Sequence, residues 1–308
     1  MGTDGRLEAV EWNERQAVLP LAGGRSPLSA SLRLDFERDP RTGQTLLAAS
    51  RQEPPLKVVR AFAVEDGTAL VHLHNVSGGL LGGDQLELVV NVGAGARVQV
   101  TTTGATRIYR ARADAAASLQ SNEITVGEDG LLEYLPDAVI PFGGARFSQR
   151  TSIRLADDAG LFWWEILAPG REARDEVFEY ERVEFSTDLV AGGRLVSAER
   201  MRLEPWKRRL TSLGRLGPYR TWSTFYICRV GLGAAEWLEI ESELRGVLTS
   251  LNRRDDALWG ISSLVAHGLV VRCAAKRGRG VLPGLQEVWR AAKWRLYGRA
   301  AVVPRKVN

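Results

Sequence analysis

Apolar and polar residues alternate singly through much of the chain, and turn-forming residues interrupt the alternation roughly every ten to fifteen positions. Leu32, Leu34 and Phe36 open the series. Leu86, Leu88 and Val90, then Val98 and Val100, then Thr151, Ile153 and Leu155 continue it. Successive side chains on a strand point to opposite faces, so each set marks a strand with one face turned to a core. Turn signals lie between them at Glu65-Asp66-Gly67, Gly93-Ala94-Gly95, Glu128-Asp129-Gly130, Asp157-Asp158-Ala159-Gly160 and Ala191-Gly192-Gly193. Short strands without intervening helices predict a mainly β fold over about residues 6–230, a sandwich, barrel or solenoid. The regular spacing across 65–165 is compatible with a β-helical, layered all-β body.

The period changes near the C-terminus. Within 236–255, Trp237, Ile240, Leu244, Leu248 and Leu251 step by three and four, as one face of a helix does. Leu285, Val288, Trp289, Ala292 and Leu296 form a second such set after Pro283-Gly284, a pair suited to a helix start. Residues 268–273 between them read as one buried strand. The prediction is therefore two C-terminal amphipathic helices in a helix-strand-helix addition over about 236–300. No low-complexity linker divides the chain, so residues 1–308 are read as a single domain. The region 191–220, with its glycines and cations, predicts a long exposed loop or an irregular hairpin where a partner docks.

Composition adds little to this and excludes more. Of 308 residues, 44% are hydrophobic and 25% charged, as in an ordinary globular protein, which argues against disorder. The net charge of +4 is modest; cations concentrate only from Lys207-Arg208-Arg209 to Arg220, a solvated face or a surface for an acidic partner. No aromatic-plus-basic motif for nucleic acid accompanies it. Cys228 and Cys273 are far apart and lack zinc spacing, which fits a reducing compartment. The N-terminus lacks a signal-peptide pattern, Met1-Gly2 is followed by Arg6 where a myristoylation motif has Ser or Thr, and no membrane-length apolar run occurs. The expected location is the cytoplasm.

Several constellations compete for chemistry. His72 and His74, on one face of a strand about 7 Å apart, would suit a metal if the fold supplied further ligands. The run from Gly78 to Asp84 invites a phosphate-loop reading. It lacks the Walker lysine, and an alternating strand follows where a phosphate cradle needs a helix. A tight strand corner is the better reading, with Asp84 bonded to backbone. Thr101 to Thr106 is a hydroxyl-rich stretch that would line a polar channel or only fill a sheet. Glu133 and Asp137 flank a proline in apolar surroundings, and Glu165 lies in the hydrophobic run Phe162 to Leu167. Buried carboxylates are costly unless paired, protonated or metal-bound, so these invite a function. One candidate is a β-sandwich enzyme acting on glycosides through Glu133 and Asp137 or a His72/His74 metal site.

In order along the chain, the Gly-Gly-x-x-Gly-Gly-Asp run at 78–84, Thr101 to Tyr109, Leu132 to Phe142, Ala168-Pro169-Gly170-Arg171 with Glu176, and the ending from Arg299 to Lys306 resemble the UreD (UreH) family of urease accessory proteins. The resemblance covers about residue 29 to the end. It implies a non-enzymatic chaperone for urease maturation that binds the urease apoprotein, a helical UreF-type partner and a UreG-type GTPase. It also implies that nickel is incorporated after passing through an internal polar tunnel, with no permanently bound cofactor and only transient Ni(2+). The residues matching the family's acidic and hydroxyl positions are Asp84, Thr102, Thr106, Tyr109, Glu133, Asp137 and Glu176; His72 and His74 are added as an entry site. Ser77 stands where the family often has proline, and Asp175 where glycine commonly precedes the glutamate. With carboxylates and hydroxyls rather than thiolates, such a chain is suited to passing a divalent cation on.

Overall fold

The computed structural model describes residues 27–64, 66–252 and 256–304. The readings that fall on the first 26 residues, on Glu65, on Asp255 and on Arg305-Lys306 lie outside them. In chain order come β1 (Ser29–Arg38), β2 (Thr45–Gln52), β3 (Leu56–Ala63), β4 (Ala69–Asn75), β5 (Gln85–Val92), β6 (Arg97–Thr102), β7 (Thr106–Ile108), β8 (Ser118–Val126) and β9 (Leu131–Tyr134). They are followed by β10 (Val139–Pro141), β11 (Arg146–Leu155), β12 (Gly160–Leu167), β13 (Arg182–Ala191), β14 (Arg194–Leu203) and β15 (Thr221–Arg229). The chain closes with α1 (Ala234–Asn252), β16 (Ala257–Ser263), β17 (Gly268–Ala275) and α2 (Val281–Tyr297).

Apart from the short β7 and β10, the strands from β4 to β13 are laid down alternately in two sheets. β4, β6, β9 and β12 pair in parallel in one, and β5, β8, β11 and β13 in the other. Each half-turn of the winding thus crosses from sheet to sheet, which is the β-helical layering that the turn spacing suggests. β1 joins β5 in parallel, and antiparallel strands complete both sheets: the first runs β14-β13-β11-β8-β5-β1-β2, and the second runs β16-β17-β15-β12-β9-β6-β4-β3.

Two cores follow. The inner faces meet over Leu32, Leu34, Phe36, Leu88, Val90, Val98 and Ile153, the positions that the alternation marks as inward. The outer face of the second sheet carries α1 and α2, which bury Trp237, Ile240, Leu244, Leu248 and Leu251 from one and Leu285, Val288, Trp289, Ala292 and Leu296 from the other. α2 begins two residues before Pro283, which sits in the first turn where its missing N–H has no helical partner to lose. The addition also contains a strand that its sequence hides. β16 is a largely exposed edge strand with Gly260 at its centre, so it shows no apolar alternation.

Because the second sheet is covered on both faces, its central strands have no wet side. β9 is buried throughout, and β12 nearly so. A polar residue on either strand must therefore face one of the two cores, and its partners decide what it does.

Candidate functional site

The glycine run at 78–83 is the corner that carries the chain from β4 in one sheet to β5 in the other. Gly79 lies so close to the next turn that a Cβ there would stand 2.5 Å from the Arg107 carbonyl oxygen. Gly83 has φ +87°, a left-handed conformation that costs glycine nothing. Asp84 is buried, and its carboxylate accepts the N–H groups of Leu28 and Leu81, each at 3.0 Å. Its oxygens are thus used inside the corner. Alanine at Asp84 leaves two backbone donors without this partner, and an expected loss of about 1–3 kcal/mol in unfolding free energy is checked by urea titration.

Between the sheets, beyond this corner, lies a cavity of about 290 Å³. Its walls include Thr102, Thr106, His74 and Asp137 towards one end, and Gln120, Asn122, Tyr134, Gln149 and Glu165 further in. Thr102 and Asp137 lock together. The threonine hydroxyl donates to Asp137 Oδ2 at 3.0 Å and accepts the Asp137 N–H at 2.8 Å. Trp164 Nε1 donates to the Pro136 carbonyl at 2.8 Å, holding the Leu-Pro-Asp turn against the second sheet. In the first sheet Gln120 Nε2 donates to Asn122 Oδ1, and Asn122 Nδ2 to Thr151 Oγ1, both at 3.1 Å. Close-packed cores rarely leave a void of this size, and one lined by amides, hydroxyls and carboxylates is suited to water or an ion.

Glu165 is one wall of this cavity. It and Phe185 also line a second space of about 20 Å³, whose other walls are Leu167, Thr187, Glu199, Met201, Trp222 and Thr224. Glu165 Oε1 accepts a hydrogen bond from Gln149 Nε2. Burial pushes its carboxyl up to about 8, the Glu199 charge adds to the rise, and the Gln149 bond opposes it. Glu199 Oε2 accepts from Tyr226 OH at 2.6 Å and from Arg272 at 3.1 Å. Because the folded value for Glu165 lies above that of a free carboxylate, the stability tied to it is complete in acid and is withdrawn as pH rises through about 8. Glu165→Gln removes this pH dependence. Its melting temperature is expected to fall less steeply than that of the wild type between about pH 5 and 8, read by thermal unfolding across that range.

The remaining residues singled out by sequence are distributed elsewhere. Glu133 projects into the helix layer, where Trp289 Nε1 and Lys293 Nζ of α2 each donate to it at 2.7 Å. It and Asp137 face different spaces and do not form an acid/base pair. Glu176 accepts from Nε and Nη2 of the Arg171 guanidinium and from the Gly143 N–H, and these bonds hold its carboxyl below the usual carboxylate range. Arg171 lies over Phe142 at 4.4 Å, Phe142 meets Tyr109 edge-on at 5.1 Å, and Tyr109 OH donates to the Gly78 carbonyl at 3.3 Å. These contacts tie the loop after β12 to the cavity rim. Asp175 in that loop has φ 56°, the left-handed conformation that a glycine at this place adopts freely. His72 packs edge-on to Phe62 at 6.0 Å, while only His74 reaches the cavity wall. Among the described residues no three His, Cys, Asp or Glu side chains converge to hold a metal.

The sequence reading missed Gln120, Asn122, Gln149 and Thr187, noted Thr151 only as part of an alternating set, and left Glu165 uncommitted. The signal exists. On β8, Ser118, Gln120 and Asn122 share the inward face with Ile124 and Val126; on β11, Gln149 and Thr151 share it with Phe147 and Ile153. Polar residues at inward positions of strands that are otherwise apolar mark where the core opens.

A family model described as UreD urease accessory protein matches residues 28–308. The chain belongs to the UreD family. It is similar to the urease accessory protein UreD of Herpetosiphon aurantiacus, 44% identical over 276 residues that cover 90% of this chain and 95% of that one. It is also similar to UreD of Halalkalibacterium halodurans, 35% identical over 69% of this chain and 79% of the relative. A UreD 2 of Pseudomonas syringae pv. tomato is 32% identical over 84% and 88%. UreD proteins are urease accessory chaperones and not catalysts, so the glycoside-acting alternative is set aside and the cavity is read in the context of urease maturation. No described helix is long and apolar enough to cross a membrane.

Proposed function

We propose that this chain delivers nickel to the urease apoprotein by letting Ni(2+) pass between its two sheets, in a cytoplasmic complex with UreF-type and UreG-type partners. The observation that carries the reading is the set of polar side chains, Thr102, Asp137, Gln120, Asn122, Gln149 and Glu165, that line the cavity between the sheets, with Glu165 shared with the smaller space that Glu199 also lines. Hard oxygen donors, offered singly along a path, bind a borderline cation weakly enough to release it. Asp137 and Thr102, with His74 and Thr106 beside them, serve at one mouth; Glu165 serves as the wall shared by the two spaces, and Glu199 beyond it. Asp84, Glu176 and Tyr109 hold the rim, and Glu133 anchors the helix layer.

The test is urease maturation in a host carrying the urease structural genes and the other accessory genes, with and without this chain. Urease activity and nickel content are expected to fall together in its absence and to return when it is restored. Equal maturation without it would overturn the proposal.

A further inference from the structure

The segment from Glu204 to Arg220 links β14 to β15 and thus crosses from the first sheet to the second. Met201 and Trp222, just outside its two ends, are walls of the small space next to Glu165. The segment is pinned from within. Leu210 is buried in the inter-sheet core, Leu216 packs against that core and donates its N–H to the Leu210 carbonyl at 3.0 Å, and Arg220 N–H bonds to the Ala275 carbonyl at 2.8 Å. On this fixed frame Leu213 is 94% exposed and Trp206 67% exposed. Trp206 and Leu213 thus present apolar area to solvent on a loop that is itself fixed to the core, and the cations around them set this pair apart from apolar residues exposed singly elsewhere.

Their surroundings select the partner. Lys207, Arg208, Arg209, Arg215 and Arg220 lie in this segment against the single carboxylate Glu204, which already pairs with Lys207 and Arg202. Among the described residues no carboxylate pairs with Arg208, Arg209 or Arg215. Arg220 continues into a shallow groove with Lys276, Arg277 and Arg279, although Glu172 and Asp256 also line it. On the other flank Glu179 and Glu181 lie in the depression beside Trp206, so the cationic character is strongest on the side away from them. Tryptophan and arginine together are the residues that most often dominate the energy of a protein interface.

We infer that this strap is a docking surface for an acidic protein face that carries an apolar contact for Trp206 and Leu213. The inference rests on the proposed role in urease maturation and places a macromolecular contact beside the far end of the passage. Cationic rims act mainly through long-range attraction, so binding is expected to weaken as salt is raised.

The experiment measures binding of the full-length chain to the urease apoprotein and to a UreF-type partner, at low and high salt. Two variants are compared with the wild type: the triple Arg208→Glu, Arg209→Glu, Arg215→Glu, and the double Trp206→Ala, Leu213→Ala. Thermal unfolding serves as the fold control. A loss of at least about tenfold in affinity for one of the two proteins in both variants, with a salt dependence that the charge reversal flattens, supports the strap. Wild-type affinity for both proteins in both variants overturns it, as does tighter binding of a duplex oligonucleotide than of either protein. Glu165→Leu, whose strap is untouched, separates the two ideas: if it matures urease normally the passage reading fails while the strap result stands, and loss of strap binding alone leaves the passage intact.

Discussion

Alanine in place of Lys293 is expected to lower the unfolding free energy by about 3–5 kcal/mol, a large share of what holds an ordinary domain together. Lys293 and Glu133 are 3% and 1% exposed at their side chains and meet at 2.7 Å. Trp289 Nε1 occupies the other carboxylate oxygen at 2.7 Å. Burial alone pushes the Glu133 carboxyl upward, and the ammonium and indole N–H counter that push. Without the lysine an unpaired carboxylate remains in the helix layer and must either stay charged at great cost or take up a proton. The cost belongs to the broken pair more than to the pair itself. Glu133→Leu with Lys293→Met should therefore recover most of the loss, since a matched apolar replacement of a buried ion pair is often neutral or better. Urea unfolding followed by tryptophan fluorescence reads both variants. The double variant is also expected to deliver nickel to urease, because neither side chain lines the cavity. A folded double variant that fails to do so would return Glu133 to the passage.

Glu133 also shows what the sequence could and could not reveal. Strands of the first sheet have polar and apolar faces that alternate, so Leu86, Leu88 and Val90 were readable as inward, and the helices showed the same clarity. In β9 every residue from Leu131 to Tyr134 is buried because helices cover one face and the first sheet the other. Alternation carries no sign there, and nothing local tells whether a carboxylate meets a lysine 160 residues away or an aqueous cavity. The same ambiguity hid Glu165 among Phe162, Trp163, Trp164 and Ile166. The Thr102 and Asp137 pairing was legible only as two polar residues in suggestive places, since the bond that joins them spans 35 residues. The ordered set of motifs identified the family where the single motifs did not, because each turn, corner and rim contact is required by the same winding.

Leucine at Glu165 is expected to cut the nickel content of matured urease by more than about tenfold while leaving the accessory complex assembled. The reasoning begins with size. The space beyond Glu165 is about 20 Å³, room for about one water, so a cation crossing there must shed most of its hydration shell. It needs oxygen donors in exchange, and the wall offers Glu165, Thr187, Thr224 and Glu199 among Leu167, Phe185 and Met201. Leucine would complete an apolar collar, and hydrophobic constrictions obstruct ions by expelling water. A tenfold loss requires only about 1.4 kcal/mol in the barrier, far less than the desolvation of a divalent cation. Glu165→Asp, which keeps a carboxyl group and its oxygen donors, is expected to retain much of the delivery. Glu199→Gln should be milder than leucine at Glu165, since Glu199 keeps about a quarter of its side-chain surface exposed and Tyr226 and Arg272 still order the site. Stability moves the opposite way. Removing a carboxyl that burial holds near 8 relieves a cost that grows with pH, so Glu165→Leu should melt at a temperature no lower than the wild type at about pH 8. A variant that is as stable as the wild type, binds its partners and still leaves urease without nickel would have lost transport alone. Normal nickel loading in that variant would remove Glu165 from the route.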